Sequence, residues 1–237
     1  MPDRRSHRGP HPEDGELFAQ SNWPRLRSAV FDYSWLLTRG YAEPSAMKIV
    51  GDRYELNARQ RMAIARSACA DAALEQRLAR QVTAPDVAGQ PLWLDGFNVL
   101  TTVEVALGGG VVLAARDGAC RDIAGVHGTY RNVEETRPAI QVVGQTLQDV
   151  APAECVWFLD SPVGNSGRLK AILLEIASSH GWPWRAELVQ NPDPILIAAE
   201  PIVATADSVI LDRCRHWFNL ARPVIARVPT ARVIPMT

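Results

Sequence analysis

From residue 91 onward the chain carries five short apolar runs, Leu92–Leu94, Val156–Leu159, Ala186–Val189, Ile202–Ala204 and Val224–Val228, set apart by longer amphipathic stretches. Apolar runs this short suit strands buried on both faces, and the stretches between them are long enough to cross over as helices. The alternation therefore predicts an α/β fold with a mainly parallel sheet flanked by helices. Helices are expected at about 97–107, 131–149, 166–180 and 208–220. Between the first two, Gly108-Gly109-Gly110 and the VVLAARDG that follows predict a strand or hairpin inserted near the sheet edge.

Upstream the texture differs. Leu26, Val30, Phe31, Trp35 and Leu36 recur at helical spacing between Trp23 and Gly40, with Gly40 as a C-cap. A second helix is expected from about Pro44 to Asp52, and a third from Asn57, its N-cap, through Ala79, with Ala63, Ile64, Ala68 and Ala72 on the inner face. The last two helices, joined by Tyr54-Glu55-Leu56, have the outline either of a helix-turn-helix or of a plain helical hairpin, and the hairpin is the reading we favour. Residues 82–91 (VTAPDVAGQP) interrupt both patterns and mark a boundary. Residues 1–16 are nearly devoid of apolar side chains and predict a loose tail. The chain thus divides into a tail (1–16), a small all-α domain (17–85) and an α/β domain (86–237).

Composition narrows the functional classes. There is no apolar run of about 18 residues, and no h-region follows the basic start, so neither a membrane span nor a signal peptide is expected and the setting is cytoplasmic. Cys69, Cys120, Cys155 and Cys214 are scattered without C-x-x-C spacing, which points to buried thiols rather than a zinc knuckle or disulfides. Net charge is −1, with 13 Lys/Arg against 10 Asp/Glu over residues 1–85 and 12 against 16 over 86–237. An acidic half that handles a polyanion needs cations at its centre.

The aspartates carry the chemistry. Asp95 closes the first apolar run (LWLD), Asp160 the second (VWFLD) and Asp207 the fourth (IVATAD), and Asp193 follows the third (AELVQNPD). In an open parallel sheet the crevice beyond the carboxyl ends of the strands is where ligands bind, so these four acids should face one place. Crowded carboxylates repel unless protons or cations neutralise them, and oxygen-only ligands suit Mg²⁺ or Mn²⁺. Each aspartate alone has a local explanation: Asp95, Asp160 and Asp207 could cap the next helix, and Asp193 could shape a turn in Asn-Pro-Asp-Pro. The coincidence of four favours a shared site over four separate caps.

These residues resemble a known family. Leu94-Asp95-Gly96-Phe97-Asn98-Val99 resembles the opening D-G-Y/F-N motif of the NYN branch of PIN-like nucleases, including YacP-type ribonucleases. Phe158-Leu159-Asp160 resembles that branch's second strand, and Thr205-Ala206-Asp207-Ser208 its T-x-D-S/R segment. Asn191-Pro192-Asp193-Pro194 sits where such proteins place an acid ahead of a helix. The resemblance covers roughly residues 90–228, and the whole chain is also similar to an uncharacterised prokaryotic family in which a small helical domain precedes a PIN-like one. It implies a metal-dependent nuclease, with RNA a better candidate substrate than DNA, in which Asp95, Asp160, Asp193 and Asp207 bind Mg²⁺ or Mn²⁺ and Asn98 sits beside Asp95. Gly108 to Tyr130 has no counterpart in ordinary NYN proteins, and Pro192 and Pro194 bracket Asp193 tightly.

Around this core lie candidate substrate-binding residues. Ser161, Ser166, Arg168 and Lys170 belong to a Gly/Ser loop (SPVGNSGRLK) opening a helix, where N–H groups and cations could hold a phosphate, or which is an ordinary strand-to-helix turn. Ser208 adjoins Asp207. Arg116, Arg121, His127, Tyr130 and Arg131 mix cations with an aromatic, as single-strand binding surfaces do, or form a solvated loop. Glu104 and Asp212 rank below the aspartates. Trp157, Trp182 and Trp184 read as packing residues. A non-catalytic nucleic-acid-binding protein is the alternative, and a homo-oligomer is compatible with the sequence. A nucleotide or phosphatase site ranks last, because the chain has neither a Walker lysine followed by Ser/Thr nor a paired D-x-D motif.

Overall fold

A computed structural model describes residues 7–124, 130 and 132–237. The chain runs through α1 (Asp14–Leu17), α2 (Trp23–Thr38), α3 (Glu43–Arg53), α4 (Ala58–Ser67), α5 (Asp71–Arg80), β1 (Gln81–Val82), α6 (Ala84–Val87), β2 (Pro91–Asp95), α7 (Gly96–Leu107), β3 (Val111–Ala114) and β4 (Cys120–Asp122). It continues as α8 (Thr136–Val150), β5 (Glu154–Asp160), α9 (Ser166–His180), β6 (Trp184–Val189), α10 (Pro192–Ile197), β7 (Ile202–Ala204), α11 (Ser208–Leu211), β8 (Trp217–Phe218), α12 (Ala221–Ile225) and β9 (Arg232–Pro235).

The expected α/β architecture is present. Six parallel strands lie in the order β1-β8-β7-β2-β5-β6, with helices on both faces. The two-residue period of a strand explains both cores. Leu92, Leu94, Cys155, Trp157 and Leu159 pack one way, with α7, α8 and α9. Val156, Phe158 and Val203 pack the other way, against Leu196, Ile210 and Trp217. β5 is apolar throughout because it is covered on both sides. From β2 the chain winds outward through β5 to β6, then returns to the opposite side of β2 as β7 and β8. This reversal opens a crevice at the carboxyl end of β2, between β5 and β7.

Several elements differ from expectation. Val224–Val228 is not a strand: Val224 and Ile225 lie in α12, where Val224 packs against the sheet and Ile225 against β3. The fifth parallel partner is Trp217–Phe218, so the helix expected over 208–220 ends at Leu211. The helix expected over 57–79 is two helices broken at Ala68-Cys69-Ala70, and Ala72 is exposed. Asn57 does cap α4, in a reciprocal pair with Gln60 that contributes about 1 kcal/mol. Gly40 follows α2 with φ +77°, as a C-terminal cap requires. Within α2, Leu26, Val30 and Leu36 are buried, but Phe31 and Trp35 face outward at 68% and 45% exposure.

The inserted stretch after Gly110 forms its own sheet, β4-β3-β9, in which the C-terminal β9 runs parallel to β3. One face of this sheet (Val111, Leu113, Ile234) closes the core of the N-terminal helices, with Leu26, Val30 and Ile64. The other face (Val112, Cys120) meets Val105 of α7 and Ile225 of α12. The small sheet therefore joins the helical layer to the parallel sheet. The loose tail expected for 1–16 is corrected over residues 7–16. Arg8 pairs with the buried Glu104 at 2.8 Å, and Asp14, fully buried, pairs with Arg59.

All four cysteines are free and buried, as expected. The tryptophans also pack as expected, Trp184 lying 5.1 Å from Trp157 and 4.7 Å from Trp182. Among the described residues no helix is long and apolar enough to cross a membrane.

Candidate carboxylate site

Asp95 ends β2 because the chain must turn there into α7, and Gly96 makes the turn possible. A Cβ at residue 96 would lie 2.8 Å from the Phe158 carbonyl oxygen and 2.5 Å from Leu159 Cδ2, so the β2–α7 corner fits against β5 only with glycine. Asp160 ends the neighbouring β5, paired in register with Val189 of β6. Asp207 follows β7, and Asp193 lies in the first turn of α10. Asp95, Asp160, Asp193 and Asp207 all line a single cavity of about 320 Å³ at the crevice, together with Asn98.

The capping explanation separates the four. Asp207 is a cap: its Oδ1 accepts from the Val209 and Ile210 N–H groups at 2.8 and 3.3 Å. Asp193 is not, since Asn191 caps α10 and accepts from the Asp193 N–H. Asp160 stands five residues ahead of Asn165, the N-cap of α9. Asp95 precedes α7 directly but makes no side-chain cap hydrogen bond. Asp95 and Asp160 therefore lack the capping role that aspartate ordinarily fills at such a place, while Asp193 occupies the first turn of α10, where an acid is favoured by the helix dipole.

The two motif segments hold each other. The Thr205 hydroxyl donates to Asp95 Oδ2 at 2.7 Å and accepts from the Asp207 N–H at 3.0 Å. Asn98 Oδ1 accepts from the Ala206 N–H at 2.8 Å. Thr205, Ala206 and Asp207 are thereby fastened to the start of α7. Asn98 serves first as this fastener, although it also lines the cavity.

Electrostatics follow from the crowding. Burial pushes the Asp95 carboxyl up to about 7, and the Asp207 and Asp193 charges push the same way. The Thr205 hydrogen bond and the nearby Asn98 N–H, which falls short of cap geometry, only partly offset them. Asp160 is raised by burial and then by Asp193, and Asp193 by burial and then by Asp207. Mutually raised carboxyls facing one space are the pattern that a cation relieves. The donor set is all oxygen, which fits Mg²⁺ or Mn²⁺. As placed, however, no three His, Cys, Asp or Glu among the described residues are close enough to share one ion, so holding one takes movement of the side chains inward.

The remaining candidates lie elsewhere. Ser161, Ser166, Arg168, Lys170, Arg116 and Ser208 do not line the cavity. Arg116 donates to the Cys69 carbonyl and to Asp71, Arg121 is buried against Asp117, and buried Tyr130 hydrogen-bonds Glu104. Arg121 and Tyr130 therefore offer no strand-binding surface. His127 and Arg131 lie outside the described residues. Glu104 is buried with Arg8 and Thr136, and Asp212 pairs with Arg77 at 2.6 Å. In the helical hairpin the half-buried Arg61 pairs with Asp52 and donates to the Leu56 carbonyl.

Five further residues complete the cavity wall: Asp122 from β4, Phe97 and Thr101 from α7, Val163 from the turn after β5 and Arg66 from α4. The inserted stretch stands out in the sequence, but no periodicity points to Asp122. Thr205 lies within a motif segment, and its role as the hydrogen-bond partner of Asp95 comes only from the fold.

Comparison with known proteins adds no assigned activity. No solved structure matches the chain. A protein of Methanocaldococcus jannaschii, named only as uncharacterised, is 29% identical over 186 residues, covering 78% of this chain and 88% of its own. Residues 25–80 match a family described as a protein of unknown function (DUF434). Residues 84–223, more than half of the chain and including every aspartate of the cavity, match another, and the protein belongs to that family, described as a domain of unknown function (DUF5616).

Proposed function

We propose that this protein is a metal-dependent nuclease of the PIN-like, NYN-type kind that hydrolyses phosphodiester bonds in a cytosolic setting, with RNA as its preferred substrate. One observation carries the reading: four strand-end aspartates line one cavity at the point where the sheet reverses, and three of them cap nothing. Asp95, Asp160, Asp193 and Asp207 would hold Mg²⁺ or Mn²⁺. When bound, the ion supplies positive charge for the phosphate oxygens and Lewis acidity.

The chain's own residues supply the rest. Thr205 fixes the Asp95 carboxylate by its hydrogen bond, and Asn98 fixes the backbone on which Asp207 rides. Asp207 keeps Oδ2 clear of its two cap bonds. Asp95, at 9% exposure, has shed most of its water, which strengthens its interaction with any cation that enters.

Incubation of purified protein with labelled single-stranded and structured RNA, and with matching DNA, in Mn²⁺ tests the reading. Cleavage should fall about a hundredfold or more in Asp95→Asn and in Asp160→Asn. Cleavage that survives both substitutions overturns it. A second reading, a nucleic-acid-binding protein without turnover, is favoured by one observation: the acids as placed do not close around an ion. It predicts salt-dependent binding with no products.

A further inference from the structure

We infer that Arg66, delivered from the helical layer, is the phosphate-positioning residue of this cavity, so that the site is composite and incomplete without α4. The inference rests on the nuclease reading. Five aspartates line the cavity, Asp122 being the fifth, and among the described residues Arg66 is the one Lys or Arg beside them. A polyanion approaching such a wall is repelled by it and needs a cationic foothold.

Arg66 is held in place to provide one. Its Nη1 donates to the Asp122 carbonyl at 2.7 Å and stands 3.6 Å from the Asp122 carboxylate. Its own carbonyl accepts from Arg121, which is locked in turn by two bonds to buried Asp117. Only Nη1 of the guanidinium is engaged among the described residues, and the side chain keeps 37% of its exposure. An arginine carries five N–H donors in a planar fork suited to paired phosphate oxygens, so most of that fork is left for a ligand.

A second observation points to a ligand in the same cavity. Thr101 lies on α7 at 3% exposure and lines the cavity, yet its hydroxyl has no hydrogen-bond partner among the described residues. A buried hydroxyl left unpaired is costly, and a phosphate or sugar oxygen in the cavity satisfies it. Arg66 and Thr101 therefore give the substrate backbone contacts of its own, separate from those of the carboxylates.

The test uses the full chain and a labelled single-stranded RNA oligonucleotide. Binding is read by fluorescence anisotropy across a salt series in Ca²⁺, and Mn²⁺ binding is read separately by electron paramagnetic resonance. Arg66→Gln should weaken oligonucleotide binding about tenfold and flatten the log–log salt slope by about 0.7, as loss of one phosphate contact on a single strand does. Mn²⁺ binding should stay as in the wild type. Arg66→Lys keeps the charge and should restore the slope while leaving affinity below wild type. A merely structural arginine would not move the slope. An unchanged slope in Arg66→Gln, or a slope that Arg66→Lys fails to restore, overturns the inference while leaving the nuclease reading intact. A wild-type protein that binds neither Mn²⁺ nor the oligonucleotide overturns both.

Discussion

Replacing Asp95 with asparagine should make the protein more stable at alkaline pH, and the size of the gain follows from the crowding around that side chain. The folded carboxyl is pushed from 3.8 up to about 7, first by burial and then by Asp207 and Asp193. At about 1.4 kcal/mol for each tenfold change in proton affinity, ionised Asp95 opposes folding by an upper limit of roughly 4 kcal/mol. The sign is set by the direction of the shift. The folded state holds the proton more tightly than the unfolded chain does, so stability is fully present below about pH 4 and is lost as pH rises through about 7. An asparagine side chain at this position would mimic the protonated acid and keep an oxygen to accept from Thr205. After allowance for local relaxation, the gain at pH 8 should be about 1–3 kcal/mol, or roughly 3–10 °C in Tm for a chain of this size. Thermal melts of both proteins at pH 4 and pH 8, in EDTA, measure it. A gain of the same size at both pH values, or no gain at pH 8, would show that Asp95 is not a carboxylate strained by its surroundings.

Two predictions concern the scaffold. Gly96→Ala places a Cβ against the Phe158 carbonyl, which cannot swing aside as a side-chain end can. It should cost about 1–3 kcal/mol in chemical denaturation and, by displacing Asp95 and Asn98, lower cleavage by more than that loss explains. Asp117→Asn leaves Arg77 and Arg121 without their shared buried carboxylate and should cost about 3–5 kcal/mol. Burial alone would raise the Asp117 carboxyl, but Arg121 and Arg77 outweigh it and hold it below the ordinary range. Its contribution is therefore present above the ordinary carboxylate range and lost as pH falls through the lowered value, so acid titrations of the two proteins should converge at low pH. Parallel titration curves would contradict this.

Four of the six parallel strands were legible because they are bounded apolar runs and because an aspartate closes each or follows it within four residues. Asn57 was legible because capping is local. What failed was non-local. Val224–Val228 is as apolar as a strand, and nothing in its own composition tells a short buried helix from a short buried strand. The break at Ala68-Cys69-Ala70 contains neither Gly nor Pro, and the Ser67 and Cys69 carbonyls there accept from the distant Arg116. Within the cavity the aspartates could be read from strand ends. Arg66 and Thr101 reach it from helices whose facing only the assembled fold decides, and Asp122 reaches it from a strand of the second sheet.

The pairing of β9 with β3 has a consequence for the order in which the molecule can be built. The interior beneath α2 is finished by Ile234 and Met236, so the early-made α2 must wait for the much later β9 before its apolar face is fully covered. A truncation at residue 223, the end of the family match, would strip that cover from the distant α2 while leaving every cavity aspartate in the chain.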